Sequence, residues 1–223
     1  MERWSAPTRQ HIRVTVRAEV NQALSEEEKL RLFAAVRLPE EWLAVLSNVR
    51  ANLERVAADE LKWVRPELMH LTLVFLGYQP SERLHEIESA LGTSATEGEP
   101  FRLSLGNLGT FGPPHGITVL WAGLDEVPAP LEQLHRSITA GLAEGRIEFD
   151  HKPLVPHITL ARGRRPINRE ISVRVAGALK GLRLPGNLTT AVEEFVLMRS
   201  RLSPKGPSYE MLRRFQLGDS HSV

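Results

Sequence analysis

The chain has 223 residues, 42% of them hydrophobic, enough to bury the core of one large domain or of two lobes sharing one. Its 28 Lys and Arg nearly cancel 27 Asp and Glu, leaving a formal charge of +1, so no global positive field argues for indiscriminate nucleic-acid binding and any phosphate site must be local. With no cysteine, disulfides, thiolate zinc sites and a cysteine nucleophile are excluded and a reducing cytoplasm is the expected location; no stretch resembles a signal peptide or approaches the ~20 apolar residues of a membrane span.

Residues 1–29 differ in character from the rest of the chain. "MERWSAPTRQ" is polar, "HIRVTVRAEV" alternates like a short strand and "LSEEEK" is charged, which suits a mobile extension. From Leu30 the pattern is regular. "LRLFAAVRLP" is a compact apolar run ended by Pro39 and predicts a buried strand. Pro39 and two acids then precede Trp42, Val45, Leu46, Val49 and Leu53 at helical spacing, so a helix comes next.

"LMHLTLVFLG" predicts a second strand closed by Gly77, and "SERLHEIESAL" a second helix capped by Ser81. "FRLSLGNLGTFG" and "ITVLWAGL" read as strands around the turn "GPPHG". "APLEQLHRSITAGLAEG" is a third helix and "LVPHITLARG" another strand, while "VEEFVLMRSRLS" and "YEMLRRFQL" form a closing pair joined by "PKGP". Strands and helices thus alternate in two successive sets, which predicts a bilobal α+β fold with internal pseudo-symmetry, its single domain spanning residues 30–218 before a short tail, 219–223.

Each set carries one near-identical phrase: "HLTL" from His70 and "HITL" from His157, 87 residues later. In a strand, side chains at i and i+2 share a face. His70 and Thr72 therefore project together while Leu71 and Leu73 turn to the other side, and His157 and Thr159 do the same opposite Ile158 and Leu160. A pseudo-two-fold axis between the lobes would bring both pairs to one cleft. Two imidazoles facing each other suit in-line displacement at phosphorus, one taking a proton from water and the other giving one to the departing oxygen. Threonine hydroxyls beside them can bond the non-bridging phosphate oxygens. Two histidines without a third imidazole or a nearby carboxylate are too few for a zinc site, and no HExxH is present, so neither metal nor other cofactor is expected.

At these residues the sequence resembles the two-histidine phosphoesterase superfamily and, within it, the RNA 2′,3′-cyclic phosphodiesterases, also called 2′-5′ RNA ligases. The resemblance runs from Arg31 to Leu217 through "RLFAAVRLP", "HLTLVFLG", "GTFG", "VLWAGL", "PHITLAR" and "LMRSRLSPKGPSYEML". It implies two sheet-plus-helix lobes around a central cleft, hydrolysis of an RNA or nucleotide 2′,3′-cyclic phosphate to a 2′-phosphate, and a reversible joining of tRNA halves through a 2′-5′ linkage. By the same resemblance His157 is the general base for water and His70 the general acid for the 3′ oxygen, labels that can be exchanged when the reaction reverses. Thr72 and Thr159 would grip the phosphate. Arg162 would approach it and Tyr209 stand near the site, while Phe33, which shares a face with Ala35 and Arg37, would line the cleft and stack on a base.

The expected partners are RNA 3′ ends or nucleotides bearing a 2′,3′-cyclic phosphate, with no membrane and a monomeric state. A non-catalytic module for RNA ends, and the same chemistry on another cyclic phosphodiester such as ADP-ribose cyclic phosphate, are the competing readings. Arg162, Arg164, Arg165, Arg199, Arg201 and Lys205 form basic clusters able to guide an RNA end. His85 and His135 read as helix-surface residues, His115 as part of a turn, and His11 and His221 as terminal; His151 precedes the second motif in a loop.

Overall fold

A computed structural model describes residues 29–57, 60–113, 116–163, 169–204 and 206–218. Apart from Lys29, the expected extension 1–29 lies outside these residues, as do the tail 219–223, His11, His115, His221, Arg164, Arg165 and Lys205. The apolar run after Lys29 is strand β1 (Lys29–Arg37), with Leu32 through Val36 almost wholly buried. It leads into α1 (Glu40–Ala57), whose Trp42, Leu46, Val49 and Leu53 enter the core from one helical face. After the short β2 (Leu61–Trp63) come β3 (His70–Pro80), α2 (Leu84–Glu97), β4 (Phe101–Phe111) and β5 (Val119–Leu124). The second half runs α3 (Ala129–Glu144), β6 (His157–Gly163), α4 (Arg169–Gly181), β7 (Thr189–Val192), β8 (Glu194–Ser203) and β9 (Gly206–Gln216).

Ser81 does not cap α2. It opens a single 3-10 turn, Ser81–Arg83, with no side-chain cap, and the α-helix starts at Leu84. The reason lies in Arg83, whose guanidinium donates to the carbonyls of Gly145 and Arg146 at the end of α3, fixing the chain at that point. β2, β7 and α4 are elements that the sequence pattern did not announce.

All the strands join one antiparallel sheet in the order β7-β4-β5-β6-β3-β1-β8-β9, with β2 alongside β6. The two histidine strands are central neighbours, meeting where Leu71 lies opposite Ile158. A shift of 87 residues carries β1 onto β5, α1 onto α3, β3 onto β6, α2 onto α4, and β4 onto β7 and the first half of β8. The sheet order is symmetric about the β3–β6 seam, β5 matching β1 and β4 matching β8, but the spatial lobes do not coincide with the two stretches of sequence. β4 leaves the first repeat to pair with β5 of the second half, and β8 of the second repeat returns to pair with β1. The lobes are therefore interleaved by exchanged strands. One hydrophobic cluster spans both, including Leu71, Leu73, Ile158 and Leu160.

Candidate active site

Leu71 and Ile158 are directly opposed and fully buried, so their flanking neighbours project to the other face of the sheet. In an antiparallel pair this sets His70 opposite Thr159 and Thr72 opposite His157, each pair with Cβ atoms about 5 Å apart. The two histidines then occupy one diagonal of a square, about 7–8 Å apart at the backbone, and the threonines occupy the other. All four line one open cavity of about 650 Å³, within the size range of small-molecule sites, roughly 300–1,000 Å³.

The imidazoles are held alike. His70 Nδ1 lies 2.8 Å from the Leu68 carbonyl, and His157 Nδ1 lies 2.7 Å from the Val155 carbonyl, in both cases the residue two positions upstream. A carbonyl oxygen only accepts, so each Nδ1 donates its hydrogen and Nε2, across the ring, becomes the atom that gains or loses a proton. Aromatic rings back both. Phe33 lies 4.8 Å and Tyr209 5.3 Å from the His70 ring, while Phe111 stands edge-on to His157 at 5.0 Å. Burial is the main reason that the pKa of His70 falls from 6.5 to about 4; the Leu68 carbonyl resists, and the Arg162 guanidinium and His157 push further down. Burial raises Tyr209 above the usual phenol range, against the pull of Arg162 and Arg31, so its hydroxyl stays protonated at neutral pH.

Strict alternation would turn Arg162 away from Thr159, since they are three residues apart. A bulge at Leu160 prevents this: β5 pairs Leu120 with Ala161 and then Trp121 with Thr159, skipping Leu160. The switch in parity returns Arg162 to the cleft, where it donates to Thr159 Oγ1 at 3.4 Å. β3 has the matching bulge at Leu73, which puts Phe75 on the same wall as Thr72. At equivalent positions the two halves thus offer an arginine and an exposed aromatic, and the otherwise symmetric cleft is polar on one side and apolar on the other.

The structure brings His70, His157, Thr72, Thr159, Arg162, Phe33 and Tyr209 to one cavity. Phe33 is 2% exposed and serves as packing beneath His70, leaving no free face for a base to stack on. Arg31, Phe75 and Phe149 are cleft residues that the sequence reading passed over. Arg31 lies two residues before Phe33 on the same strand, a spacing that signals a shared face. The His151 ring lies 4.2 Å from that of Phe149, tilted by 50°, and lines a surface depression adjoining the cleft rather than the cleft itself. Among the described residues no group of three or more His, Cys, Asp or Glu is placed to hold a metal ion, and no helix is long and apolar enough to cross a membrane.

The sequence model of the family LigT like Phosphoesterase matches the chain twice, at residues 36–121 and 123–209, the second match beginning 87 residues after the first as the histidines do. The RNA 2′,3′-cyclic phosphodiesterase of Thermus thermophilus is 39% identical over 199 residues, 86% of this chain and 92% of that protein. The protein of the same description from Methanothermobacter thermautotrophicus is 33% identical over 191 residues, 85% of this chain and all of its own. Among solved structures, TT0787 of T. thermophilus superposes with a TM-score of 0.70 at 34% identity, covering 86% of this chain and 100% of that one. E. coli LigT crystallised with 3′-AMP gives 0.67 at 27% identity, with the same coverage. Two matched repeats, each holding one histidine strand, place this chain in the LigT-like phosphoesterase family.

Proposed function

We propose that the protein opens 2′,3′-cyclic phosphates at RNA 3′ ends or on nucleotides, yielding 2′-phosphates, with His70 and His157 as its proton carriers and no metal. The observation that carries this reading is the diagonal pair of imidazoles, each with Nδ1 fixed by a carbonyl and a threonine opposite. Water attacks phosphorus from the His157 side and gives its proton to that ring. The P–O3′ bond breaks, and the 3′ oxygen takes a proton from His70. Thr72, Thr159 and Arg162 hold the non-bridging oxygens, whose charge an arginine and two hydroxyls neutralise in a partly buried site. With a 5′-hydroxyl RNA end in place of water, the same steps join two RNAs through a 2′-5′ linkage, and run backwards they cleave that linkage to re-form the cyclic phosphate.

His70 must be charged to act as the acid, yet burial leaves it neutral at pH 7 in the free protein. The bound phosphate supplies the missing counter-charge, so substrate and proton arrive together. Exchanging the two roles gives the same pH profile, because either way the pair holds one proton. A substrate with sulfur in place of the 3′ oxygen separates them, since a thiolate departs without an acid. His70→Ala should recover much of its loss on that substrate and His157→Ala should not; the opposite pattern reverses the assignment.

The reading itself is tested with an RNA ending in a 2′,3′-cyclic phosphate in EDTA. A 2′-monoester should appear, and alanine at either histidine should cut the rate by roughly 10²–10⁴. A 3′-monoester product, or full turnover in both variants, refutes it.

A further inference from the structure

Two arginines face the cleft, and they differ from their neighbours on the same sheet. Arg199 and Arg201 are paired to Glu210, Arg213 to Glu88 and Arg214 to Glu194. Arg31 and Arg162, among the described residues, form no ion pair with a carboxylate; Arg31 donates to the Ser200 hydroxyl at 3.0 Å and Arg162 to that of Thr159. Unneutralised guanidinium groups lining a cavity are anion sites.

They are also separate sites. Arg162 is bound to Thr159 on a histidine strand, whereas Arg31 is bound to Ser200 on β8. Strand register explains this spacing. Arg31 on β1, Ser200 on β8 and Tyr209 on β9 form one row across the sheet, because Leu32 pairs with Arg199 and Ser200 with Tyr209. His70 pairs with Arg37, at the far end of β1. The acidic groups of the cleft, Glu148 and Asp150, belong to the loop against β3; neither forms an ion pair with Arg31, and Asp150 is held by Lys152 at 2.8 Å.

We propose that Arg31, seated on Ser200 beside Tyr209, is a second phosphate subsite that reads the phosphate on the 5′ oxygen of the nucleotide carrying the cyclic phosphate. This rests on the hydrolysis proposed above and adds a specificity determinant to it. A nucleotide occupied at both ends is oriented across the cleft. The preferred substrate then carries two phosphates, either as a nucleotide with a 5′-monoester or as an RNA whose preceding phosphodiester fills the subsite.

The test compares three substrates at fixed salt: adenosine 2′,3′-cyclic phosphate, its 5′-phosphorylated form, and a dinucleotide ending in the cyclic phosphate. The wild-type kcat/KM should favour the second and third over the first by roughly tenfold, the scale of one charge-assisted contact. Arg31→Gln, which keeps a hydrogen-bonding group near Ser200, should bring those ratios close to one, chiefly through KM. Arg31→Lys should keep part of the preference, and added salt should erode it. Preference for the 5′-monoester alone points to nucleotides, and an equal or greater preference for the dinucleotide points to RNA. Equal rates for all three wild-type reactions, or an equal loss on all three in Arg31→Gln, overturn the subsite. If wild type opens none of the three, the proposed hydrolysis fails instead. The subsite is then judged by equilibrium binding of adenosine 2′,5′-bisphosphate against adenosine 2′-phosphate, where no preference sensitive to Arg31→Gln overturns it.

Discussion

His70 is held neutral because the groups that position it also dry it out. Phe33 and Tyr209 pack on its ring and water is replaced by aromatic carbon, so the charged form loses solvation that the Leu68 carbonyl only partly restores. The folded pKa of about 4 lies below the ordinary value of 6.5, so between those values the unfolded chain binds more protons than the folded one. Stability therefore rises with pH across that window. Above it both states are neutral and nothing is lost; below it both are charged and the fold bears the whole penalty, about 3 kcal/mol at one pKa unit per 1.4 kcal/mol. Urea unfolding of wild type at pH 7 and pH 4 should show this loss, beyond that of His70→Asn, which has no imidazole to charge. An equal pH dependence in the two proteins would mean that His70 titrates normally.

At the scale of elements, the site depends on strands that are irregular in the right places. The bulges at Leu73 and Leu160 turn Phe75 and Arg162 into the cleft, and strict two-residue alternation conceals both. That is why the four motif residues were legible from spacing alone and the surrounding wall was not. Parity holds as far as Thr72 and Thr159 and fails one residue later. Apolar runs of β1 and β3 and the helical spacing of α1 and α3 were equally readable. β2 is only three residues long, and β7 is a four-residue strand in the polar stretch "TTAV", so neither offers a period to detect. The support of His157 is likewise hidden in glycines. Trp121 packs on Phe111, which meets His157 edge-on, and a Cβ on Gly109 would fall 2.3 Å from the Trp121 ring. Gly109→Ala should therefore displace Trp121, cost about 1–3 kcal/mol in thermal unfolding by overpacking, and lower kcat for the cyclic phosphate more than KM. A variant with wild-type kcat would uncouple His157 from that aromatic stack.

For the whole molecule, the strand pairs that join the first half of the chain to the second decide what can fold alone. Cutting after Leu124 leaves the N-terminal piece with two separate pairs, β1–β3 and β4–β5, because the strand between them in the sheet, β6, is on the other piece. The C-terminal piece keeps only β8–β9 as a pair, since β6 finds all its partners in β2, β3 and β5 and β7 finds its partner in β4. Neither piece can assemble a sheet wide enough to cover its helices, and isolated hairpins are marginal in water. Leu71 and Ile158, fully buried against one another at the seam, would be exposed in both. Fragments 1–124 and 125–223 should each lack cooperative unfolding by circular dichroism. Mixed in equal amounts, they should regain the transition and the activity together, because the seam that completes the core also completes the histidine pair. A cooperatively folded single fragment would show that the halves are independent units, and that strand exchange contributes little to holding the cleft.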